Sequence, residues 1–280
     1  MSGAVALCAD DYAVSEGVSR GILEALRAGR LTATSALVGC SHWAEGARAL
    51  NEGGFDADIG LHFNLTLGAP LGPMPVLAPA GVFPGVGGVI KASLLGRLSR
   101  EEIFAEASRQ IDRFEAALGR PPDFLDGHHH VHAFRGVREP LLDALTARGL
   151  AGRCWLRDPA DRPRRILARG AQVKKALIVG LLASGFGAAA RRAGFATNDG
   201  FSGFSDFAPS EDYARLFASC LRAPGERHLV MCHPGHVDAE LKAHDPVTGA
   251  RELELAFLLS ERFAEMLAER GLALARLAAA

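Results

Sequence analysis

The sequence predicts an α/β protein built on a mostly parallel sheet, and two observations carry that reading. Short apolar runs alternate with amphipathic helical stretches, the pattern of parallel βαβ units. Acidic residues and histidines fall just after several of those runs, at the strand carboxyl ends where α/β folds bind ligands. The 280 residues exceed a usual domain, yet parallel barrels reach this length as one unit, and 49% apolar content supplies a core. No internal repeat or boundary divides the chain, so residues 1–280 are expected to form one domain.

The elements follow in order. Ala4–Ala9 is an apolar run fit for a strand buried on both faces, stopping at Asp10-Asp11. Ser15 reads as the N-cap of a helix to about Ala28, with Val18, Ile22, Leu23 and Leu26 on one face and Gly29 as its stop. Leu31–Val38 is a second strand, His42–Asn51 a second helix and Ala57–His62 a third strand. Residues 65–98, rich in Gly and Pro, read as a long loop on the rim of a substrate site.

Ser99-Arg100-Glu101-Glu102 is a capping box opening a helix whose core stripe is Ile103, Phe104, Ala107, Ile111, Phe114 and Leu118. Phe124–Asp126 is a fourth strand, followed by a helix over about 137–148 and a strand near 152–156. Residues 157–207 break the alternation and read as an irregular insertion. A helix over 210–221, a buried strand over 228–232, a long helix over about 250–270 and a strand over 272–275 close the chain.

A net charge of −1, with both signs mixed, gives no electrostatic footprint for nucleic acid. Cys8, Cys40, Cys154, Cys220 and Cys232 are odd in number and form no C-x-x-C pair, so they read as core residues. No basic, apolar leader opens the sequence, which points to a cytoplasmic enzyme. Ala176–Ala190 is uncharged between Lys174-Lys175 and Arg191-Arg192. Too short to span a bilayer, it reads first as a buried helix or active-site cover, with weak membrane-surface contact as the alternative.

The chemistry gathers at strand ends. Asp10-Asp11, His62 and the His128-His129-His130-Val131-His132 cluster supply carboxylates and imidazoles suited to one divalent metal with open positions for water and substrate. Taken singly these features are weaker. Asp-Asp after a strand serves as turn chemistry, a lone His62 is commonly a satisfied histidine, and four clustered rings cannot all bind one ion. His233, in His233-Pro234-Gly235-His236, ends another buried strand on the same edge. If the cluster stays extended, His128, His130 and His132 share a face.

The chain resembles the YdjC-like carbohydrate deacetylase family. The matching blocks are Ala9-Asp10-Asp11-Tyr12 with Ser15, Thr32–Val38, Gly60–Thr66, Leu125–His132 and Val230–Gly235. Tyr12 stands where the family usually has Phe, and Gly127 where Ser is common. The resemblance implies a deformed (β/α) barrel of the polysaccharide-deacetylase type and metal-dependent removal of an N-acetyl group from an amino sugar such as a chito-oligosaccharide. It implies Asp11, His62 and His128 as metal ligands, Asp10 as catalytic base and His233 as the acid.

His130, His132, Asn64 and Asp126 are left as substrate contacts or supports behind the ligands. Two imidazoles favour zinc or another transition ion, with magnesium kept open. Related deacetylases acting on glycosylated hopanoids bring a lipid-linked amino sugar as a second substrate reading. Rivals from other classes are a non-catalytic sugar- or metal-binding module and an iron oxygenase with the same ligand types. A homodimer is also left open.

Overall fold

The computed structural model describes residues 3–278 apart from 209, 211 and 245–247. β1 (Gly3–Tyr12) extends the first apolar run through both aspartates rather than ending before them. Ser15 caps α1 (Glu16–Arg27), its hydroxyl accepting from the Val18 amide at 3.3 Å, and the Val18, Ile22, Leu23, Leu26 stripe is buried. β2 (Ala33–Ala36), α2 (Trp43–Gly53) and β3 (Asp58–Phe63) complete the first alternation, β2 being shorter than the 31–38 run.

The Gly/Pro-rich stretch is not loop throughout. α3 (Gly85–Leu94) forms within it, with Val89 as its one buried residue. Three glycines weaken its helix propensity, so composition alone reads as loop. α4 (Arg100–Leu118) starts from the Ser99 cap and ends at Gly119, whose φ of 70° needs a residue without Cβ. β4 (Phe124–Gly127) enters a 3-10 turn over His128–Ala133. His129 and His130 take φ of 54° and 60°, so the cluster does not stay extended and strand alternation does not sort its rings.

α5 (Arg138–Ala147) and β5 (Trp155–Leu156) follow. The region expected to be an irregular insertion holds α6 (Pro163–Arg169), α7 (Val173–Leu182), α8 (Phe186–Arg192) and β6 (Gly200–Ser202), the last a member of the main sheet. α9 (Tyr213–Cys220), β7 (His228–Cys232) and α10 (Ala239–His244) come next. Residue 211 of the helix expected over 210–221 lies outside the described residues. The helix expected over 250–270 breaks at Ser260, whose extended backbone separates α11 (Gly249–Leu259) from α12 (Glu261–Ala268). β8 (Leu272–Leu274) ends the order.

The strands form one parallel sheet in the order β5-β4-β3-β2-β1-β7-β6, with β8 also pairing β1. The sheet curls until its ends approach at a single parallel bridge, Leu156 with Thr197. It is a deformed, incompletely closed (β/α) barrel in a single domain. Period-two alternation divides the core. Ala6 and Cys8 join Phe124, Trp155, Phe201, Leu229 and Met231 in one cluster, where Phe124 stacks on Trp155 at 4.3 Å. Val5, Leu7 and Ala9 join the larger cluster beneath the helices.

Cys8, Cys154, Cys220 and Cys232 are buried free thiols. Among the described residues no single helix is long and apolar enough to cross a membrane; α7 and α8 form an apolar pair bent by 44°.

Candidate metal centre

The end of β1 is shaped by a bulge. Its register against β2 slips between Ala9 and Tyr12, and Asp11 takes φ of 66°. A bulge re-aims side chains that alternation would send to opposite faces. Asp10 and Asp11 therefore both line one cavity, together with His62, His128 and His233. Tyr12, beyond the bulge, fixes the turn by donating its hydroxyl to the Gly46 carbonyl at 2.9 Å.

Three ligand-type atoms converge there. Asp11 Oδ1 lies 2.9 Å from His128 Nδ1 and 3.3 Å from His62 Nε2, and the set fits within 4.8 Å. All three residues are buried. Although the nitrogens are close, Asp11 Oδ1 makes no properly angled hydrogen bond among the described residues. A buried carboxylate oxygen left this way is costly, and one oxygen facing two imidazole nitrogens is a donor set that takes a divalent ion. The residues fit a metal.

The layer behind the ligands supports this. His62 Nδ1 lies 2.7 Å from Asp126 Oδ1, and Ser35 Oγ donates to Asp126 Oδ2 at 2.9 Å. A carboxylate behind one ring nitrogen fixes the ring and directs the other nitrogen at the metal position. Burial alone would lower the basicity of His62, but Asp126 and Asp11 push it up to about 10. Asp126 is held well below the usual carboxylate range, since Arg157 and His62 outweigh its burial. Asp11 is held low in the same way, by His128 and Arg251 against burial.

Two arginines that the sequence reading did not single out complete the site. Both Arg157 Nη atoms donate to Asp10, each at 2.6 Å, and Nη2 also reaches Asp126 Oδ2 at 2.6 Å. Arg251 Nη2 donates to Asp11 Oδ2 at 2.7 Å. Each of the three buried carboxylates thus has a guanidinium partner, with Arg157 shared between Asp10 and Asp126. Arg157 had a usable signal, because it directly follows β5 at the ligand-binding edge. Arg251 had none, being one charge on an amphipathic helix 240 residues from its partner.

The remaining histidines divide by contact. His129 Nδ1 meets Thr66 Oγ1 at 2.9 Å and its ring lies against His128. Burial pushes it down to about 3. His130 lines the cavity edge-on to Phe201 and Phe204. His132 Nε2 bonds the Arg157 carbonyl at 2.8 Å, so it steadies the backbone carrying that arginine. Asn64 is not among the cavity residues: its Oδ1 accepts the Thr66 and Leu67 amides and its Nδ2 donates to the Leu67 carbonyl, which folds the loop after β3. His233 Nδ1 has no hydrogen-bond partner among the described residues. Burial pushes this ring down to about 4 although Asp11 and Asp10 pull the other way.

The YdjC-like protein family matches residues 4–269. The chain belongs to this family. A chitooligosaccharide deacetylase of Proteus mirabilis (strain HI4320) is 32% identical over 273 residues, covering 94% of this chain and 93% of that protein. A carbohydrate deacetylase of Mus musculus is 31% identical over 251 residues, covering 81% and 76%. A crystal structure from Enterococcus faecalis V583, of a candidate cellobiose-phosphate cleavage protein, superposes with a TM-score of 0.72 at 25% identity, covering 99% of this chain and 98% of that one.

Around the strand-end residues, the cavity of about 270 Å³ has mostly apolar walls. Val86 and Ile90 come from α3, Ile178, Val179 and Leu182 from α7, and Phe134, Phe204, Phe207 and Met231 from elsewhere. The uncharged 176–190 segment thus walls the cavity on its inner side, through Ile178, Val179 and Leu182. Its outer side is open: Leu177 and Leu181 are exposed.

Proposed function

We infer that this chain is a carbohydrate deacetylase, a hydrolase that cleaves the amide of an N-acetylated amino sugar with a bound divalent metal. The observation that carries the reading is the convergence of Asp11, His62 and His128 beside Asp10 in one cavity. The names of the Proteus and mouse relatives support the substrate class.

Asp11, His62 and His128 would hold the metal. When bound, the ion supplies Lewis acidity, polarising the acetamide oxygen and lowering the pKa of water. Asp10 accepts the proton of the attacking water; Arg157 fixes its carboxylate from two directions without removing its charge. Water oxygen adds to the carbonyl carbon, the C–N bond breaks, and acetate and amine leave. We assign His233 the delivery of the proton to the amine. Burial keeps that ring neutral in the free protein, so it takes up a proton from solvent as negative charge develops nearby and passes it to the amine, while Asp10 returns the water proton to solvent after the products leave.

Two imidazoles favour zinc or another transition ion over magnesium. Of the three helices over 163–192, α7 supplies Lys175, Ile178, Val179 and Leu182 to the cavity. Acetate release from chito-oligosaccharides, lost on chelation and restored by metal, is the expected result. Metal binding without acetate release from any N-acetylated sugar would make the chain a binding module instead.

The cavity walls favour a second substrate reading, an amino sugar joined to an apolar group. Beyond the ligand cluster and its arginines, Lys175 and Ser205 are the polar lining residues, few for a chain of hydroxylated sugars. An alkyl glycoside of N-acetylglucosamine is expected to show a lower KM than the free sugar. An equal or higher KM would return the choice to soluble oligosaccharides.

A further inference from the structure

α3 and α7 rim the same cavity mouth, and both turn apolar side chains away from the protein. Leu94 and Leu95 at the end of α3 are 72% and 52% exposed, and Leu181 on α7 is 76% exposed. The two patches are joined through the segment between them: Ser93 Oγ donates to the Arg135 carbonyl at 2.7 Å, and Arg138 Nη1 donates to the Ser184 carbonyl at 2.5 Å. Large exposed aliphatics grouped in this way mark a surface that meets something apolar.

Charge indicates what that is. Residues 59–100 and 162–198, which contain both helices, hold eleven of the chain's 31 Lys and Arg and none of its 32 Asp and Glu. Arg162, Arg165 and Arg169 are engaged with Asp161 and Asp199, Arg100 with Asp143 and Lys175 with Asp206. Lys91, Arg97, Arg135 and Lys174 are exposed and make no ion pair among the described residues. A chain of net charge −1 thus concentrates unpaired positive charge around an apolar face. Lysine is depleted in protein–protein interfaces, whereas leucines flanked by Lys and Arg suit the boundary between lipid headgroups and acyl chains.

We propose that α3 and α7 form a docking surface for an anionic lipid bilayer, which sets the cavity mouth against the membrane. This deepens the reading of a substrate with an apolar group and rests on it for its purpose, though docking itself is measured without substrate. Leu94, Leu95 and Leu181 enter the headgroup boundary while Lys91, Arg97, Arg135 and Lys174 meet lipid phosphates. An amino sugar held in the bilayer by its apolar part then reaches Asp10 and the ligand cluster without leaving the lipid.

The test is flotation of the purified full chain with vesicles of phosphatidylcholine, with and without phosphatidylglycerol. Binding to the anionic vesicles is expected, weakening as salt rises. Paired substitution Leu94→Glu with Leu181→Glu should reduce it about tenfold or more. Neither residue lines the cavity, so this variant should keep wild-type hydrolysis of a soluble N-acetylated sugar, which also reports that it folds. Lys91→Glu with Lys174→Glu should weaken binding to the anionic vesicles and flatten its dependence on salt.

No flotation by the wild type, or flotation unchanged in the leucine variant, overturns the proposal. So does a concentration-dependent dimer in lipid-free buffer that the leucine variant dissolves, since the face would then belong to a second copy. Docking without any preference for alkyl glycosides would overturn only the apolar-substrate reading, so the two failures are distinguishable.

Discussion

The strand ends and the helical rim of the same cavity are built on opposite terms. At the strand ends, Asp10, Asp11 and Asp126 are buried and tied by Arg157, Arg251, His62 and Ser35 through bonds of 2.6–2.9 Å. At the rim, α3 has one buried residue, Val89, and α7 has one, Ala176. The first region fixes charges where chemistry needs them and tolerates little change. The second has few contacts to lose and can alter what it meets without disturbing the first. Reaction type and ligand choice are therefore separable in this protein.

That separation can be broken or sharpened by substitution. Asp10→Asn removes the proposed base while leaving the ligand set, and turnover should fall about a thousandfold. Metal content, measured by elemental analysis, should be retained. Arg157→Met strips the shared partner from two buried carboxylates and should cost about 3–5 kcal/mol in urea denaturation, because breaking a buried pair leaves charge uncompensated.

Asp126→Asn leaves Asp11, His62 and His128 in place but weakens the support behind His62. Metal affinity, by competition with a chelator, should drop about 10–100-fold. The smallest effect belongs to the rim. Ile178→Ser should raise KM for an alkyl glycoside by about tenfold or less and leave kcat for a free N-acetylated sugar unchanged. A large loss of kcat there would show that the two regions are coupled.

The sequence exposed these regions unequally. Strands such as 228–232 were legible because they are short apolar runs, and their ends announced themselves by residues that packing does not need. The capped helices α1 and α4 were equally plain. α3 was hidden by glycines that mimic loop composition, and β6 by its three residues within a stretch of broken alternation. Among site residues, the close approach of Asp11, His62 and His128 matches the ligand set that the family resemblance implies.

What stayed out of reach depended on the third dimension. The bulge that aims both Asp10 and Asp11 into the cavity is a backbone event with no residue-type signature. Left-handed conformations at His129 and His130 redirect the cluster, giving His132 to the Arg157 carbonyl and His129 to Thr66. Arg251 finds Asp11 because β7 pairs beside β1 and the Gly235 amide after it holds the Arg251 carbonyl.

That last pairing reaches into how the protein is made. β1 emerges first from the ribosome, yet it pairs with β7 and β8, and its two aspartates await Arg157 and Arg251. At about 5–20 residues per second, Asp10 waits roughly 7–30 seconds for Arg157 and Asp11 roughly 12–50 seconds for Arg251, although β2 is made soon enough to pair one edge of the strand. An apolar strand ending in two unpaired acids is a poor thing to leave exposed in a crowded cell. Nascent chains of this protein are accordingly expected to engage a holding chaperone until β8 has emerged, and stalled chains shorter than residue 251 should bind no metal at this centre.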